Sequence, residues 1–392
     1  MSVIDMERYN ILVDSQGLIW ITTYGNGLFC YTPRTEQFRH FGNSSEPNSP
    51  AWDYLLSITE DRAGNIWIGT EYAGIIKVVK SPYIHRLFLP ECKGALGKNN
   101  NIRSVYIDRS QQIWLGTKNG NLYRYDRQLI GKPYTITGLN PYCMLQDSKD
   151  RMWVGTKTNG VQIFERQSMR RISWHRHEPD NPASISHNSV YALLEDSRNR
   201  IWVATYGNGI CLAEESADGI NFRRFSFGQI LRNNIRFLME DSKNIIWVGS
   251  NDGLLRFNPE ELFTDPSAYQ AFRIDPDQPG GINSSDIKTI YEDSRRRLWI
   301  GTAGGGISQY IDGGDGNSGR FMAYTEKDGL AGNFVTGIQE DNTGKLWIST
   351  ESGISRFDPE SGTFNAYQFS EKTYANYFND NAHAYDNQGN MY

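Results

Sequence analysis

The stretch of sequence that decides the fold is DSRNRIWVATYGNG, residues 196–209. Its Asp is followed six residues later by Trp, and Thr lies three residues after that Trp. Around it, the pattern predicts short strands at 189–195, 201–205, 210–214 and 222–226, with tight turns between them. Four short antiparallel strands joined by tight turns are typical of one blade of a β-propeller.

The Asp-to-aromatic spacing recurs nine times in the 392 residues, and eight of the nine aromatics are Trp. The pairs are Asp14/Trp20, Asp61/Trp67, Asp108/Trp114, Asp147/Trp153, Asp196/Trp202, Asp241/Trp247, Asp293/Trp299, Asp341/Trp347 and Asp386/Tyr392. Successive aromatics lie 39 to 52 residues apart, which is a period of repeat arrays. We therefore predict an all-β fold, a β-propeller of four-stranded antiparallel blades with seven or eight blades. Residues 1–370 would hold repeats 1–8, and residues 371–392 would begin a partial ninth repeat of a longer, truncated array.

The motif residues themselves are predicted to build the scaffold. The Asp can accept hydrogen bonds from backbone N–H groups of its own turn. The position three before the aromatic is mostly Gly, Asn or Asp, residues that tolerate the positive φ of a tight hairpin. A small residue two positions after each Trp allows close approach of a neighbouring blade, and the Trp is expected to pack between blades.

Composition narrows the class of protein. The net charge is −5 without blocks of like charge, which argues against a nucleic-acid partner. No apolar run reaches transmembrane length, and residues 1–10 carry no signal-peptide pattern. Cysteines occur at Cys30, Cys92, Cys143 and Cys211 without a C-x-x-C pair, so isolated buried thiols are expected. We predict no cofactor and no metal.

Residues 60–75, 240–254, 292–307 and 340–354 share the pattern E-D-S-x-G-x-[IL]-W-[IV]-G-T-x-x-x-G-[IL] with small variations. This unit resembles the two-component regulator propeller repeat, and YTEKDGLAGN at 324–333 resembles the linker between its repeats. Such repeats form seven-bladed propellers, usually two in tandem, in the periplasmic sensor region of hybrid two-component regulators of gut bacteria. Eight full repeats and a fragment leave open whether eight blades close or repeats from two rings are present.

The resemblance implies a function for the chain. It would be the extracytoplasmic sensor of a hybrid two-component signalling protein that recognises an oligosaccharide and controls polysaccharide-utilisation genes. The resemblance also implies a homodimer through the sensor region, and attachment to the inner membrane only through other parts of the parent protein. We find no kinase nucleotide site, helix-turn-helix or membrane span in these residues, and we predict no enzymatic activity for them.

Candidate ligand-binding residues lie where the repeat breaks its own pattern. Strands alternate in direction, so the connections between repeats share one face with the turns between second and third strands. This connection face carries aromatics that could stack on sugar rings. Trp52 and Trp174 lie in or beside the connections, and Tyr24, Tyr72 and Tyr206 lie in the turns between second and third strands. Loops on a rigid scaffold commonly carry function.

A second candidate set lies at the start of the innermost strands, five residues before the motif Asp. These positions vary and are polar or aromatic, and they should ring the mouth of a central channel: Arg103, Tyr142, Tyr191, Arg236 and Lys288. The positions two residues earlier include Asp286 and Phe334. Cations, hydroxyls and amides at such a mouth suit sugar hydroxyls, and a carboxylate or sulfate.

Two alternatives stay open. A propeller enzyme, a polysaccharide lyase or glycosidase, would use groups such as His177 or Tyr191. His175 and His177 form the only close histidine pair, without a third ligand for a metal. The Asp lies six residues before the Trp, whereas the sialidase Asp-box has five, and no G-x-S-x-G or phosphate loop is present. The second alternative is a protein-interaction or dimerisation scaffold.

Overall fold

The computed structural model describes residues 9–15, 17–33, 36–43, 50, 52–61, 66–78, 101–126, 132–227, 234–275, 280–314, 319–367, 379, 382–386 and 391. It is all-β, with 55% strand and 3% helix. The sheets of the described residues are seven of four strands and one of three, and each is an antiparallel meander. The predicted propeller fold class is confirmed. Among the described residues, no helix has the length and apolar character to span a membrane.

The chain divides into two compact units, Met1–Arg86 and Leu87–Tyr392, called unit 1 and unit 2. Unit 1 contains blades 1 and 2. Blade 1 consists of β1 (Tyr9–Val13), β2 (Ile19–Thr23), β3 (Leu28–Thr32) and β4 (Gln37–Phe41). The described strands of blade 2 are β5 (Leu55–Glu60), β6 (Ile66–Thr70) and β7 (Ile75–Val78).

Unit 2 contains six four-stranded blades, numbered 3 to 8. Blade 3 consists of β8 (Ile102–Ile107), β9 (Ile113–Thr117), β10 (Leu122–Tyr125) and β11 (Tyr134–Ile136). Blade 4 consists of β12 (Pro141–Gln146), β13 (Arg151–Thr156), β14 (Val161–Glu165) and β15 (Arg171–His175). Blade 5 consists of β16 (Val190–Glu195), β17 (Ile201–Thr205), β18 (Ile210–Ser216) and β19 (Gly219–Phe225).

The remaining blades follow the same order. Blade 6 consists of β20 (Ile235–Glu240), β21 (Ile246–Ser250), β22 (Gly253–Phe257) and β23 (Gln270–Phe272), with helix α1 (Pro259–Thr264) between its last two strands. Blade 7 consists of β24 (Ile287–Glu292), β25 (Leu298–Thr302), β26 (Ile307–Ile311) and β27 (Arg320–Tyr324). Blade 8 consists of β28 (Val335–Glu340), β29 (Leu346–Thr350), β30 (Gly353–Asp358) and β31 (Thr363–Tyr367), after a 3-10 turn at Glu326–Asp328.

The motif Asp holds both its hairpin and its Trp. In blade 5, Asp196 Oδ1 accepts from the backbone N–H groups of Arg198 and Arg200, both at 3.0 Å. Asn199, three before the Trp, has φ of 60°, as predicted. Asp196 Oδ2 accepts from the indole Nε1–H of Trp202 at 2.8 Å, and this bond recurs in all eight complete repeats at 2.7 to 3.0 Å. The turn bonds agree with the prediction from the sequence, and the indole bond is an additional finding.

Adjacent blades of unit 2 pack through the Trp and the small residue that follows it. Trp202 is fully buried, with ring centroids 5.6 Å from Phe257 and 6.1 Å from Phe263 of the next blade. A Cβ at Gly301 would lie 2.6 Å from Cγ1 of Val335 in the next blade. It would also lie 2.5 Å from Cγ2 of Thr289 on the inner strand of its own blade. The Gly is therefore required both by that strand and by the close approach of the next blade, the second of which was expected.

A second contact between blades uses the Ser after the motif Asp. Ser242 donates from its N and from its Oγ to the two oxygens of Glu292, each at 2.8 Å. Ser294 makes the same pair of bonds to Glu340 at 2.7 and 2.6 Å. Each Glu precedes the motif Asp of the following blade, so the turns of successive blades are joined along one face.

Two pieces of the predicted ninth repeat contact unit 2 blades. Asn379 Nδ2 donates to Asn101 Oδ1 at 2.8 Å and to the Ile102 carbonyl at 2.5 Å, beside blade 3. The Tyr385 hydroxyl bonds Asn342 Oδ1 of blade 8. Asn379 and Tyr385 thus contact the first and the last complete blade of the unit, respectively. That residues 371–392 begin a further blade stays a prediction.

Cys30, Cys143 and Cys211 are buried, as expected, and Cys92 lies outside the described residues. Burial raises the pKa of the Cys211 thiol, although its hydrogen bond to Ser186 Oγ acts to lower it. Within the described part of the chain, no group of three His, Cys, Asp or Glu side chains is placed to hold a metal ion.

Candidate functional site

The starts of the innermost strands and the turns after the second strands lie together at one end of each blade. The backbone N–H of Tyr206 donates to the Ser189 carbonyl at 2.8 Å, and the N–H of Ala303 donates to the Asp286 carbonyl at 2.8 Å. Lys157 and Asn140 make the equivalent bond in blade 4 at 3.0 Å. The two sets of predicted ligand-binding residues in unit 2 therefore share the connection face.

Three tyrosines and an arginine form a continuous ladder across blades 3, 4 and 5. The guanidinium carbon of Arg103 lies 5.4 Å from the ring centroid of Tyr142. The rings of Tyr142 and Tyr191 are stacked, with centroids 3.7 Å apart and planes within 5° of parallel. Tyr191 in turn stacks on Tyr206 at 4.7 Å. One inner-strand side chain from each blade thus contacts the next.

The ladder continues through blades 6, 7 and 8 with charged groups. Arg236 lies 5.5 Å from the Tyr206 ring centroid, and its Nε lies 3.9 Å from Asp286 Oδ1. Lys288 Nζ lies 3.2 Å from Asp286 Oδ2 and 5.0 Å from the Phe334 ring centroid. We call this series the inner-strand belt: Arg103, Tyr142, Tyr191, Tyr206, Arg236, Asp286, Lys288 and Phe334.

The belt offers hydroxyls and cations more than open ring faces. Tyr142 lies between Arg103 and Tyr191, and Tyr191 lies between Tyr142 and Tyr206, so both faces of each ring are covered. Burial and the Tyr206 hydroxyl raise the pKa of Tyr191, although Arg103 and Arg236 act to lower it. Tyr191 therefore keeps its proton at neutral pH and can donate a hydrogen bond.

The belt contains three cations and one carboxylate. Asp286 pairs with both Arg236 and Lys288, and Lys288 is 4% exposed. One carboxylate offsets one of the three positive charges, so the belt is positive overall. Charge-assisted hydrogen bonds from such cations are roughly twice as strong as neutral ones.

Unit 1 carries a separate aromatic group on its own connection face. The rings of Tyr24 and Tyr54 meet edge to face at 5.0 Å, Trp52 lies 5.9 Å from Tyr54, and Tyr72 lies 6.2 Å from Trp52 at 88°. Tyr72 is 78% exposed. The buried indole N–H of Trp52 makes no hydrogen bond within the described residues. This group does present ring surface to solvent.

Trp174 lies apart from the belt, on the outer strand β15. Its Nε1–H donates to the Asn159 carbonyl at 2.6 Å, which ties it to the turn after the second strand of blade 4. The guanidinium carbons of Arg171 and Arg176 lie 5.0 and 5.4 Å from its ring centroid. Trp174 therefore reaches the connection face at the outer edge of its blade.

The two histidines considered for catalysis or metal binding have structural contacts. His177 Nδ1 lies 2.9 Å from the Ile185 carbonyl, and His175 Nε2 lies 3.0 Å from Ser173 Oγ. Burial lowers the pKa of His175. These bonds hold the segment between blades 4 and 5 in place.

The structure therefore brings Arg103, Tyr142, Tyr191, Tyr206, Arg236 and Lys288 into one series. It also adds Asp286 and Phe334, which the sequence analysis had located at the same strand starts without choosing them as ligand-binding residues. The sequence does distinguish Asp286 and Phe334, since both depart from the Asn or Ser that most repeats carry at this position. The ligand-binding role of all these residues stays a prediction.

Comparison with known families agrees with the repeat period. The family described as Two component regulator propeller matches residues 49–72, 97–119, 135–158, 184–207, 281–304 and 329–352. The chain carries two-component regulator propeller repeats. Each matched segment ends at or near the turn between the second and third strands of a propeller blade, so the matches follow the blades one by one.

Solved structures share the propeller fold. The extracellular domain of a putative hybrid two component system from B. thetaiotaomicron superposes with a TM-score of 0.64 at 23% identity, over 98% of this propeller chain and 49% of that chain. PorZ, a surface component of the type-IX secretion system of Porphyromonas gingivalis, gives 0.53 at 12% identity, over 95% and 59%. A second hybrid two component system domain from B. thetaiotaomicron gives 0.43 at 18% identity, over 97% and 56%.

The chain thus spans about half the length of the solved structures it matches. At these identities the likeness concerns the fold. The chain has no match among the curated proteins. Its propeller fold resembles that of the extracellular domain of a putative hybrid two component system.

Proposed function

We propose that the chain is the extracytoplasmic, ligand-binding sensor propeller of a hybrid two-component signalling protein. Its ligand is an oligosaccharide, and its output is control of polysaccharide-utilisation genes. The observation that carries this proposal is the inner-strand belt, in which five consecutive blades, 3 to 7, contribute phenolic hydroxyls and cations. Sugars present many hydroxyls to such donors, and a small number of placed polar groups commonly fixes the orientation of a ligand in its site.

Signalling requires that the ligand prefer one arrangement of the sensor over another. A ligand that contacts several blades at once would favour the arrangement in which those contacts are best made. That preference would be passed to a kinase elsewhere in the parent protein, across the inner membrane. The proposal includes a periplasmic location and a homodimer through the sensor region, and the extracellular assignment of the B. thetaiotaomicron structures supports the location.

The proposed role is binding without catalysis. Asp286 is the carboxylate of the belt and is paired with two cations. Glycoside hydrolysis ordinarily uses two carboxylates on opposite sides of the scissile bond. The belt therefore resembles a recognition surface more than a hydrolytic centre. We propose no nucleic-acid partner and no cofactor for this propeller.

The test is calorimetric titration of residues 1–392 with neutral, uronic-acid-containing and sulfated oligosaccharides. Arg236→Gln should weaken binding of any oligosaccharide that binds the native protein by about tenfold or more, the size of one lost hydrogen bond to a charged group. Arg198→Gln is the matched control, since Arg198 lies on a motif turn and pairs with Glu260 at 2.9 Å. A folded protein that binds no member of the panel would refute the proposal.

A further inference from the structure

A cleft of about 670 Å³ lies between blades 6 and 7, on the face of the motif-Asp turns. Its walls include Asp241, Trp247, Tyr269, Tyr310 and Asp312. Inner strands begin at the belt and end at the motif turns, so the cleft and the belt lie at opposite ends of the blades. Its volume is within the range of small-molecule sites, roughly 300–1,000 Å³.

The other motif carboxylates of unit 2 show what is different here. In five of the six complete blades, an arginine lies within 3.2 Å of the motif Asp: Arg166 at Asp108, Arg151 at Asp147, Arg200 at Asp196, Arg297 at Asp293 and Arg356 at Asp341. In three of them, the same arginine continues to a glutamate of the next blade, as Arg200 does to Glu260 at 2.6 Å. A guanidinium thus commonly fills the space beside the motif turn.

Blade 6 departs from this arrangement. The position two before its Trp is Ile245, where blades 4, 5 and 7 carry Arg. Within the described residues, Asp241 accepts hydrogen bonds from the Lys243 and Ile245 N–H groups and from Trp247, and has no cation partner. Arg256 occupies the place that Arg356 has in blade 8, but its Nε donates to Gln270 Oε1 at 2.9 Å. Its guanidinium carbon lies 5.4 Å from the Trp247 ring centroid and 5.2 Å from that of Tyr310, without an ion pair to Asp241 among the described residues.

Two other cations of the cleft have partners of their own. Lys243 Nζ lies 3.1 Å from Asp312 across the two blades, and Arg297 pairs with Asp293 and Glu360. Arg296 is exposed on its turn. The carboxylate of Asp241 thus lies at a cleft with aromatic walls. It lacks the guanidinium partner that the motif Asp has in the other five blades of unit 2. Desolvated cations bind such carboxylates and aromatic faces together.

We propose that this cleft binds a guanidinium or alkylammonium group of a ligand, which takes the place beside Asp241 that an arginine of the chain takes in the other blades. The ligand class is an organic cation, either an arginine or lysine side chain of a peptide or a small free amine or guanidine. This site is independent of the oligosaccharide site at the belt.

The experiment uses residues 1–392 with ethylguanidinium, the neutral isostere N-ethylurea, and a blocked Gly-Arg-Gly peptide. Binding is followed by calorimetry and by the NMR signal of the Trp247 indole N–H, which bonds Asp241 at 2.7 Å. Ethylguanidinium should shift that signal and N-ethylurea should not. Stronger binding of the peptide would identify a peptide as the source of the cation, and equal binding would identify a small molecule.

Ile245→Arg supplies the missing guanidinium within the chain and should weaken binding of ethylguanidinium at least tenfold. Ile245→Met, which keeps an apolar side chain of similar size, should leave binding unchanged. Three results would each overturn the proposal: no binding at about 10 mM, where a site with a Kd of ~1 mM would be largely filled; equal binding of N-ethylurea; or unaltered binding in Ile245→Arg.

Discussion

Removal of one motif carboxylate, Asp196→Ala, should destabilise the propeller strongly. Asp196 accepts from two backbone N–H groups at 3.0 Å, from Trp202 Nε1 at 2.8 Å and from Arg200 Nε at 2.6 Å. The variant leaves the buried indole N–H and two turn N–H groups without their acceptor, while Arg200 keeps Glu260 as a partner. Because each buried donor left unsatisfied costs about 1–3 kcal/mol, we expect a loss of about 3–5 kcal/mol in the free energy of unfolding.

The assay combines the urea midpoint, followed by Trp fluorescence, with hydrogen exchange of peptides that cover β16 and β17. Asp180→Ala is the control, because Asp180 is exposed in the connection between blades 4 and 5, and a change within about 0.5 kcal/mol is expected there. The exchange should accelerate first in blade 5, where the hairpin is held. A loss below about 1 kcal/mol, or uniform acceleration in every blade, would refute the role assigned to the motif Asp.

Two further predictions concern acid stability and blade spacing. Burial alone would raise the pKa of Asp341, but hydrogen bonds from Thr343, Trp347 and the Lys345 backbone outweigh it and lower the pKa to about 2. The stability that Asp341 contributes is therefore present above pH ~4 and lost as the pH falls toward ~2. Asp341→Asn should make the urea midpoint fall less steeply with pH in that window. An unchanged slope would contradict this prediction. Gly155→Val should lower the free energy of unfolding by about 1–3 kcal/mol through overpacking. The reason is that a Cβ at Gly155 would already lie 2.7 Å from Val190 Cγ1 of the next blade. An unaltered thermal midpoint would show that the blades have room to separate.

Much of the fold could be predicted because the same strand and turn pattern occurs in eight complete repeats. The strands predicted around Asp196 at 189–195 and 201–205 correspond to Val190–Glu195 and Ile201–Thr205. The outer strand was less well placed, at 222–226 against Gly219–Phe225, because its hairpin with β18 extends into a tight turn at Gly219. Composition alone does not indicate how far such a hairpin runs.

The candidate site was only partly predictable. The strand-start positions could be read from the sequence because they vary where the rest of the repeat does not. That Tyr142 and Tyr191 cover each other's faces depends on ring orientation across two blades, 49 residues apart in the chain. The cleft could not be predicted from the sequence. Ile245 indicates a missing guanidinium only when the structure shows that Arg151, Arg200 and Arg297 reach the motif carboxylates.

The most direct test of the central claim is hydrogen exchange of residues 1–392 with and without an oligosaccharide that binds. A ligand on the inner-strand belt should protect the starts of the inner strands in several consecutive blades, at β8, β12, β16, β20 and β24. The motif-Asp turns at the other end of the same blades should exchange unchanged. Protection confined to the motif-Asp turns, or to one outer strand, would contradict the account.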